Sequence, residues 1–159
     1  MIEIIKADLD YQPHAEALID LMSAYALDPM GGGKDLSKEV KRNLANTLKE
    51  KEGAHVVLAY VHNEVVGLII CIEGFSTFSC KPVLKVHDTI VLTEYRGREI
   101  LNHLLLAAEN IARDRGCCKM TLEVFEGNDA AQRAYKKFGF DDYELDTKMG
   151  KAAHLEKAL

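Results

Sequence analysis

Residues 89–105, TIVLTEYRGREILNHLL, combine a β-branched run, a short turn and the start of an amphipathic helix. A strand that leads directly into a helix exposes the amides of the first helical turn, and the helix dipole adds partial positive charge there. Arg96 and Arg98 supply two further cations, and Gly97 lets the turn form without Cβ strain. The stretch therefore predicts an anion-binding loop at a strand–helix junction.

Upstream of this junction, the spacing of apolar residues predicts a strand, two helices and three more strands. The first helical run has Pro13 in its first turn, and Ser37 suits the N-cap of a second helix that Gly53 closes. From residue 55 the apolar period becomes two, as in strands. The expected elements span residues 2–7, 14–27, 38–52, 55–61, 65–75 and 83–92.

Downstream of the junction, the pattern predicts a long helix, a strand and a helix that Asn128 caps and Gly139 closes. These elements are expected at residues 98–116, 119–125 and 128–139, and the tail 143–159 suits a strand, a turn at Gly150 and a last strand. The order βααβββαβα, followed by one or two strands, predicts a single α/β (α+β) domain over residues 1–159. A mixed central sheet with about four helices is the expected architecture.

The composition is typical of an ordinary soluble globular protein. The 159 residues are 48% hydrophobic and carry a net charge of −5, so nonspecific nucleic-acid binding has no support from the overall charge. No apolar run is long enough to span a membrane, and MIEIIKADLD does not resemble a signal peptide. The four cysteines form no Cys-x-x-Cys pair and the six histidines show no ligand spacing. We therefore expect reduced thiols, a cytoplasmic location and no metal, nucleic-acid or membrane partner.

A second motif makes the interpretation of the loop more specific. Asn128, Ala131, Tyr135 and the pair Gly139-Phe140 match the pattern Asn-x-x-Ala-x-x-x-Tyr-x-x-x-Gly-Phe. With the loop before it, and in the order of its elements, the chain resembles the GNAT superfamily of coenzyme A-dependent N-acyltransferases over nearly its whole length. The resemblance implies a GNAT-like sheet whose middle strands splay apart around acetyl-CoA as cosubstrate.

The resemblance also implies cofactor contacts and a catalytic acid. The main chain of one central strand would pair with the pantetheine arm, and amides of the loop would wrap the pyrophosphate. Asn128 would contact the pantetheine or acyl region, and Tyr135 would protonate the departing thiolate. The implied cofactor-binding residues are Ile90, Val91, Leu92, Arg96, Gly97, Arg98, Glu99, Ile100, Leu101, Asn128, Ala131 and Tyr135.

Two residues of the loop depart from the family pattern Arg/Gln-x-x-Gly-x-Gly/Ala. Arg96 keeps the first position, whereas Glu99 stands at the first glycine and Leu101 at the Gly/Ala position. Glutamate adds like charge, worth roughly 1 kcal/mol for two unit charges 4 Å apart in water, and leucine adds a side chain that clashes unless it turns into the core. The sequence predicts either a working but weaker coenzyme A site or a decayed site on a fold kept for another ligand.

Acyl transfer also needs a group that deprotonates the amine, since amines are mostly protonated at neutral pH. His87 and Asp88 lie on the strand that runs toward the implied thioester, and Glu123 lies on the next strand. Successive side chains of a strand point to opposite faces, so only one of His87 and Asp88 is expected to face the substrate. A purely structural role in local hydrogen bonds remains open for each of the three.

Two further segments are candidates for the acceptor pocket. The resemblance implies that the connection between the first two helices borders this pocket, so DPMGGGK, residues 28–34, is either a mobile substrate lid or a plain connector. The two aromatic residues of GFSTFSCKP either line the same pocket or pack in the core. The expected acceptor-binding residues are Asp28, Met30, Gly31, Phe75 and Phe78.

These observations predict an N-acetyltransferase that moves an acetyl group from acetyl-CoA to a primary amine of an unidentified small molecule or peptide. The amine would attack the thioester directly. The alternative is a non-catalytic protein of the same fold that binds coenzyme A or another small ligand through a degenerate loop. By analogy with the family, a homodimer is possible.

Overall fold

The computed structural model describes residues 1–143 and 148–159, which contain a five-stranded mixed sheet and four α-helices. The strands are β1 (Ile2–Lys6), β2 (Ala54–Val61), β3 (Glu64–Ser76), β4 (Lys81–Val91) and β5 (Met120–Leu122). The helices are α1 (Gln12–Leu27), α2 (Lys38–Glu50), α3 (Ile100–Asp114) and α4 (Asp129–Phe138). The strands lie in sequence order, with β1 to β4 antiparallel and β5 parallel to β4.

The chain divides into two compact units. Residues Met1–Glu123 form the first unit, which holds the five strands described above and α1 to α3, and Val124–Leu159 form the second, which holds α4. The mixed α/β architecture and the order of elements through α4 confirm the predicted fold class. Within the described residues, no helix combines the length and the hydropathy needed to cross a membrane.

Local sequence signals set the helix ends as predicted. Ser37 Oγ and Asn128 Oδ1 each accept a hydrogen bond of 3.2 Å from a backbone N–H in the first turn of α2 and α4 respectively. Gly116 and Gly139 take positive φ angles of 71° and 125° just beyond the ends of α3 and α4. The β2–β3 hairpin turns through two residues with positive φ, as two-residue hairpins commonly do.

Helices α1 and α3 pack on opposite faces of the sheet. The α1 residues Leu18 and Leu21 share a buried cluster with side chains of three strands, namely Val56, Leu58, Leu68, Ile70 and Ile90. In contrast, α3 packs over Gly67 of β3, whose neighbour Leu68 belongs to the α1 cluster. Because neighbours along a strand point to opposite faces, α3 covers the face that α1 does not.

Gly67 sets how closely α3 approaches the sheet. A Cβ at this position would lie 3.1 Å from Ile100 Cγ2 and 3.2 Å from both Leu104 Cδ1 and Ile90 O. Ile100 and Leu104 are 1% and 0% exposed, so neither side chain has room to retreat. The absence of a Cβ at Gly67 therefore lets the first turn of α3 pack directly on β3, close to the C-terminal end of β4.

Two predictions for the C-terminal region differ from the structure. β5 spans three residues in place of residues 119–125, because its parallel pairing with β4 ends at Val86 and Leu122. The chain then turns toward α4, with Asn128 N donating to Phe125 O at 3.0 Å. Residues 151–159 contain no strand, so the predicted last strand is wrong, whereas most of the preceding one falls on residues 144–147, outside the described residues.

Glu73 of β3 links its strand to β2 and to the residue that follows α3. It lies at the end of the sheet opposite to the C-terminal end of β4. Its carboxylate accepts a 2.9 Å hydrogen bond from Arg115 Nε, which follows α3, and lies 3.2 Å from His55 Nε2 of β2. The Glu73 side chain is 12% exposed. The Arg115 hydrogen bond is the main cause that holds the pKa of Glu73 below its ordinary value, against the opposing effect of burial.

The close approach at Gly67 predicts a position-specific cost of adding one methyl group. Gly67→Ala is expected to reduce the free energy of unfolding by about 1–3 kcal/mol, because Ile100 and Leu104 must shift to admit the Cβ. Gly74→Ala is the matched control on β3, since the nearest atom to its Cβ is Val83 O at 4.0 Å. Urea denaturation measures both variants, and equal stability of the two would contradict the packing argument.

The lowered pKa of Glu73 predicts a specific loss of stability in acid. A carboxylate whose folded pKa is depressed stabilises the fold above its unfolded pKa, and this contribution disappears as the pH falls through the folded pKa. Between about pH 5 and pH 3, Glu73→Gln should therefore show a shallower fall in the free energy of unfolding than the wild type. Glu156→Gln, on an exposed residue, should keep the wild-type slope. Equal slopes for both variants and the wild type would rule out this role of Glu73.

Candidate active site

The edge of β4 that faces away from β3 is paired with β5 over only part of its length. β5 pairs with β4 from Leu84 to Val86, whereas β4 continues to Val91. Leu92 N donates to Val66 O at 2.9 Å, so Leu92 and Val66 form a hydrogen-bonded antiparallel pair. Such pairs alternate along a ladder, so Ile90 bonds toward β3 while the peptide groups of Thr89 and Val91 point away from it.

Because of this alternation, the three residues that the sequence predicted as contacts of the pantetheine arm do not all face the same way. Of Ile90, Val91 and Leu92, only Val91 presents its peptide group to the edge beyond the β5 pairing. Thr89, which was not among the predicted contacts, presents the same kind of group two residues earlier. The pairing register of β3 with β4 determines which peptide groups face outward, and the sequence alone does not determine that register.

The loop after β4 leaves the N-terminus of α3 uncapped. A 3₁₀ turn at Thr93–Tyr95 is followed by Gly97 at φ 76° and by Glu99 at φ 63°, and no side chain caps the helix. His103 N donates to Glu99 O at 3.1 Å, which is the first hydrogen bond of the helical ladder. The amides of residues 100–102 therefore have no partner inside the helix and carry the positive end of its dipole.

Glu99 and Leu101 occupy their positions in different ways. Glu99 has the left-handed backbone conformation that glycine adopts freely, and its side chain is exposed. This conformation costs a non-glycine residue about 1–2 kcal/mol, which explains why the family pattern has glycine there. Leu101 is half-buried, while its neighbour Ile100 is fully buried. The leucine thus turns only partly into the core.

The two arginines of the loop are both engaged by the protein itself. The Arg98 guanidinium lies 5.2 Å from the centre of the Tyr95 ring, and Tyr95 donates a 2.7 Å hydrogen bond to Glu64. Arg96 Nε donates to Val91 O at 3.1 Å, and its Nη2 lies 3.4 Å from Asp28 Oδ2. One guanidinium therefore stays beside the loop, and the other reaches back to the open edge of β4.

The segment after α1 is a hydrogen-bonded turn. Asp28 Oδ1 accepts from Met30 N at 2.9 Å, and the Asp28 carbonyl accepts from Gly31 N and Gly33 N at 2.8 and 3.1 Å. The Met30 amide is the main cause that lowers the pKa of Asp28, with Arg96 contributing in the same direction. A Cβ on Gly31 would lie 1.9 Å from Tyr25 O, so only glycine fits there.

A β-bulge corrects the prediction that His87 and Asp88 point to opposite faces. Ile70 pairs with Asp88 and Cys71 pairs with Val86, so His87 is an extra residue in β4. The bulge brings the two side chains together, with His87 Nδ1 3.0 Å from Asp88 Oδ2. Since Asp88 is opposite Ile70, it lies on the face that α1 covers. The His87 side chain is 52% exposed and the Asp88 side chain 20%.

The third candidate base lies on the same face as Asp88. Glu123 accepts a 3.0 Å hydrogen bond from Lys85, whose strand partner Ile72 shares the orientation of Ile70. Tyr25 of α1 joins this region: burial is the main cause that raises its pKa, and Asp88 and then Asp28 add to the effect. Tyr25 was not among the residues predicted for the site, and its phenol three residues before Asp28 was the available sequence signal.

The two phenylalanines lie elsewhere. Phe75 and Phe78 are 62% and 101% exposed, which excludes packing in the core. Phe75 pairs with Pro82, six residues before Asp88, so Pro82 and Asp88 are about 20 Å apart along β4. The structure therefore does not bring these aromatic side chains together with Asp28 and Asp88.

Residues Val124–Leu159, the second compact unit, contain the Asn–Tyr motif. Asn128 caps α4 through its hydrogen bond with Ala131 N, and Tyr135 is buried with its ring 6.0 Å from that of Phe140 in an edge-to-face contact. The spacing of the motif is thus explained locally by a capped helix and an aromatic pair. Among the residues that the structure describes, no three His, Cys, Asp or Glu side chains are grouped as metal ligands.

Comparison with known proteins agrees with this fold. A family model described as the acetyltransferase (GNAT) family matches residues 17–140. The chain is also 31% identical over 140 residues to an uncharacterized N-acetyltransferase of Archaeoglobus fulgidus. The alignment covers 84% of this chain and 89% of the relative. The chain therefore belongs to the GNAT acetyltransferase family, and the resemblance seen in its sequence is confirmed.

Two solved structures share the fold. A probable acetyltransferase superposes with a TM-score of 0.82 at 24% identity, covering 98% of both chains. AAC(6')-Iy in complex with the bisubstrate analog CoA-S-monomethyl-acetylneamine superposes with a TM-score of 0.78 at 15% identity, covering 100% of this chain and 99% of the other. At these identities the likeness concerns the fold alone.

The conformation of Glu99 predicts that two substitutions will have separable effects. Glu99→Gly and Glu99→Gln both remove the negative charge, and each should tighten the binding of coenzyme A several-fold, as roughly 1 kcal/mol of charge repulsion implies. Only Glu99→Gly should also stabilise the fold, by about 1 kcal/mol, because only glycine relieves the left-handed conformation. Calorimetric titration and urea denaturation measure the two effects. Unchanged affinity in Glu99→Gln would refute the charge argument.

Proposed function

We propose that this protein transfers an acetyl group from acetyl-CoA to a primary amine that is cationic in solution. The observation that carries the proposal is the continuity between the outward-facing edge of β4 and the uncapped N-terminus of α3. Such an arrangement offers peptide groups to an extended chain and amides to a diphosphate within one short segment. The family to which the chain belongs supports acetyl transfer as the chemistry.

The cofactor would be held mainly by main-chain groups. The outward peptide groups of Thr89 and Val91 would pair with the amides of the pantetheine arm, and an N–H of this edge would stabilise the negative charge that develops on the thioester oxygen. The amides that open α3 would hold the diphosphate, with the helix dipole in support. The side chains of Glu99 and Leu101 perform neither role, but the charge of Glu99 would oppose the diphosphate, so we propose a weakened but working site.

The acceptor amine would approach from the face that α1 covers. Tyr25 packs against the buried cluster on that face, and the pKa of its phenol is raised by burial, then by the carboxylate of Asp88 and then by that of Asp28. Carboxylates there would attract an ammonium group, whereas the phenol offers a hydrogen-bond partner of either polarity. A primary amine with a cationic head fits these groups better than a neutral or acidic acceptor.

The pair formed by His87 and Asp88 is our proposal for the base. An ionised Asp88 can only accept, so its contact with His87 Nδ1 requires the proton on that nitrogen and leaves Nε2 to accept a proton. The imidazole would take a proton from the ammonium, and the neutral amine would then attack the thioester carbon as the carbon–sulfur bond breaks. Glu123 is held by Lys85 and would serve to attract the amine.

Tyr135 is proposed as the acid that protonates the departing thiolate, on the strength of the family motif that it completes. Tyr135→Phe should then lower kcat by about a hundredfold or more with little change in the KM for acetyl-CoA. Tyr11→Phe, at a tyrosine 55% exposed on the first compact unit, is the matched control and should keep the wild-type rate. Equal rates for the two variants would remove Tyr135 from the mechanism.

The direct test incubates the protein with acetyl-CoA and a panel of primary amines, such as 1,4-diaminobutane, lysine and an amino sugar. Acetylated product and coenzyme A are measured by mass spectrometry, because the exposed Cys80 and Cys118 would react with thiol dyes. We expect product with at least one cationic amine and a rate that rises with pH until the base is deprotonated. Binding of acetyl-CoA with no product from any amine would favour the non-catalytic ligand-binding alternative, which Glu99 and Leu101 suggest.

A further inference from the structure

Arg96 connects the loop that precedes α3 with the turn that follows α1. Its Nε donates to Val91 O, and its Nη2 contacts Asp28 Oδ2, while its side chain remains 56% exposed. By the alternation of the β4 ladder, Val91 O lies on the strand edge proposed for the pantetheine arm. The Arg96 side chain thus contacts two groups at once: the Val91 carbonyl on the edge proposed for the cofactor, and the Asp28 carboxylate on the side proposed for the amine.

The Asp28 carboxylate is held in place while Arg96 is able to move. Asp28 Oδ1 is fixed by Met30 N, and the Asp28 carbonyl is fixed by Gly31 N and Gly33 N. Gly31 lies against the Tyr25 carbonyl, where no Cβ would fit, so the turn has little freedom. In contrast, the Arg96 guanidinium is half-exposed on a long side chain, and its contact with Asp28 is long at 3.4 Å.

A bound cofactor would change the preferred partner of Arg96. A guanidinium binds phosphate oxygens through paired, charge-assisted hydrogen bonds, which are stronger than the single 3.4 Å contact with the Asp28 carboxylate. The pantetheine amides would also compete for Val91 O. We propose that Asp28 and the cofactor compete for Arg96, and that cofactor binding releases the Asp28 carboxylate to receive the ammonium group of the acceptor.

This inference rests on the proposed function, and it implies coupling between the two ligands. If the cofactor frees Asp28, the acceptor binds more tightly to the cofactor complex than to the free protein, and the reverse holds to the same extent. The acceptor side therefore becomes complete only after Arg96 has turned to the diphosphate. Asp28 acts as a positioning and specificity residue of the site, in addition to shaping its turn.

The test is a double-mutant cycle on coenzyme A affinity, measured by calorimetry for the wild type, Asp28→Asn, Arg96→Gln and the double variant. Asparagine keeps the acceptor for Met30 N and removes the charge that holds Arg96, so Asp28→Asn should bind coenzyme A about threefold more tightly than the wild type. In the Arg96→Gln background, the same substitution should have no effect. Asp20→Asn, at an exposed position of α1, controls for long-range charge and should keep the wild-type affinity.

The outcomes distinguish the competition of Asp28 and the cofactor for Arg96, which we call the latch, from the transferase function. Unchanged or weaker binding in Asp28→Asn would overturn the competition for Arg96 while leaving the proposed function intact. An equal gain in both Arg96 backgrounds would also overturn it, because the carboxylate would then act on the cofactor directly. Absence of binding by all four proteins at millimolar coenzyme A would overturn the latch together with the proposed function. A gain that requires Arg96 supports the latch.

Discussion

The close approach of α3 to β3 at Gly67 is the constraint on which the candidate site depends. Because no Cβ stands there, Ile100 and Leu104 pack directly on the strand, and the first turn of α3 comes to lie beside the end of β4. The uncapped amides of that turn are thereby placed next to the strand edge that extends beyond β5. The proposed anion site and peptide-pairing edge would thus arise from backbone geometry, which would explain how the loop can differ from the family at Glu99 and Leu101.

The peptide groups and the side chains of β4 point in perpendicular directions, and we assign one direction to the cofactor and the other to the acceptor amine. Its peptide groups lie in the plane of the sheet, so Thr89 and Val91 address whatever lies along the edge. Its side chains stand perpendicular to that plane. Asp88, opposite Ile70, lies on the face that α1 covers, and the bulge places His87 beside it. A cofactor in the plane and an acceptor from the α1 face would therefore meet at one strand without competing for the same atoms, apart from those that Arg96 holds.

The sequence predicted the features that depend on local periodicity and capping, since Ser37, Asn128 and Gly139 act within their own helices. It also predicted the family, because two motifs at a fixed separation are specific. It could not predict the bulge that joins His87 to Asp88, because a bulge reflects pairing with β3 and leaves no local signal. The contact between Arg96 and Asp28 was equally hidden, since the two residues are far apart in the chain and meet only through the packing of α1 and α3 on the sheet.

Amide chemical shifts of the isotope-labelled protein, followed during titration with coenzyme A, report directly on the proposed cofactor site. If the cofactor binds along β4 and at the start of α3, the largest shifts should occur at the amides of Thr89, Val91, Gly97 and residues 100–102. The amide of Gly74, at the other end of the sheet, should stay unchanged. Saturable binding that leaves the first turn of α3 unperturbed, or no shift at millimolar ligand, would show that these main-chain groups do not form the cofactor site.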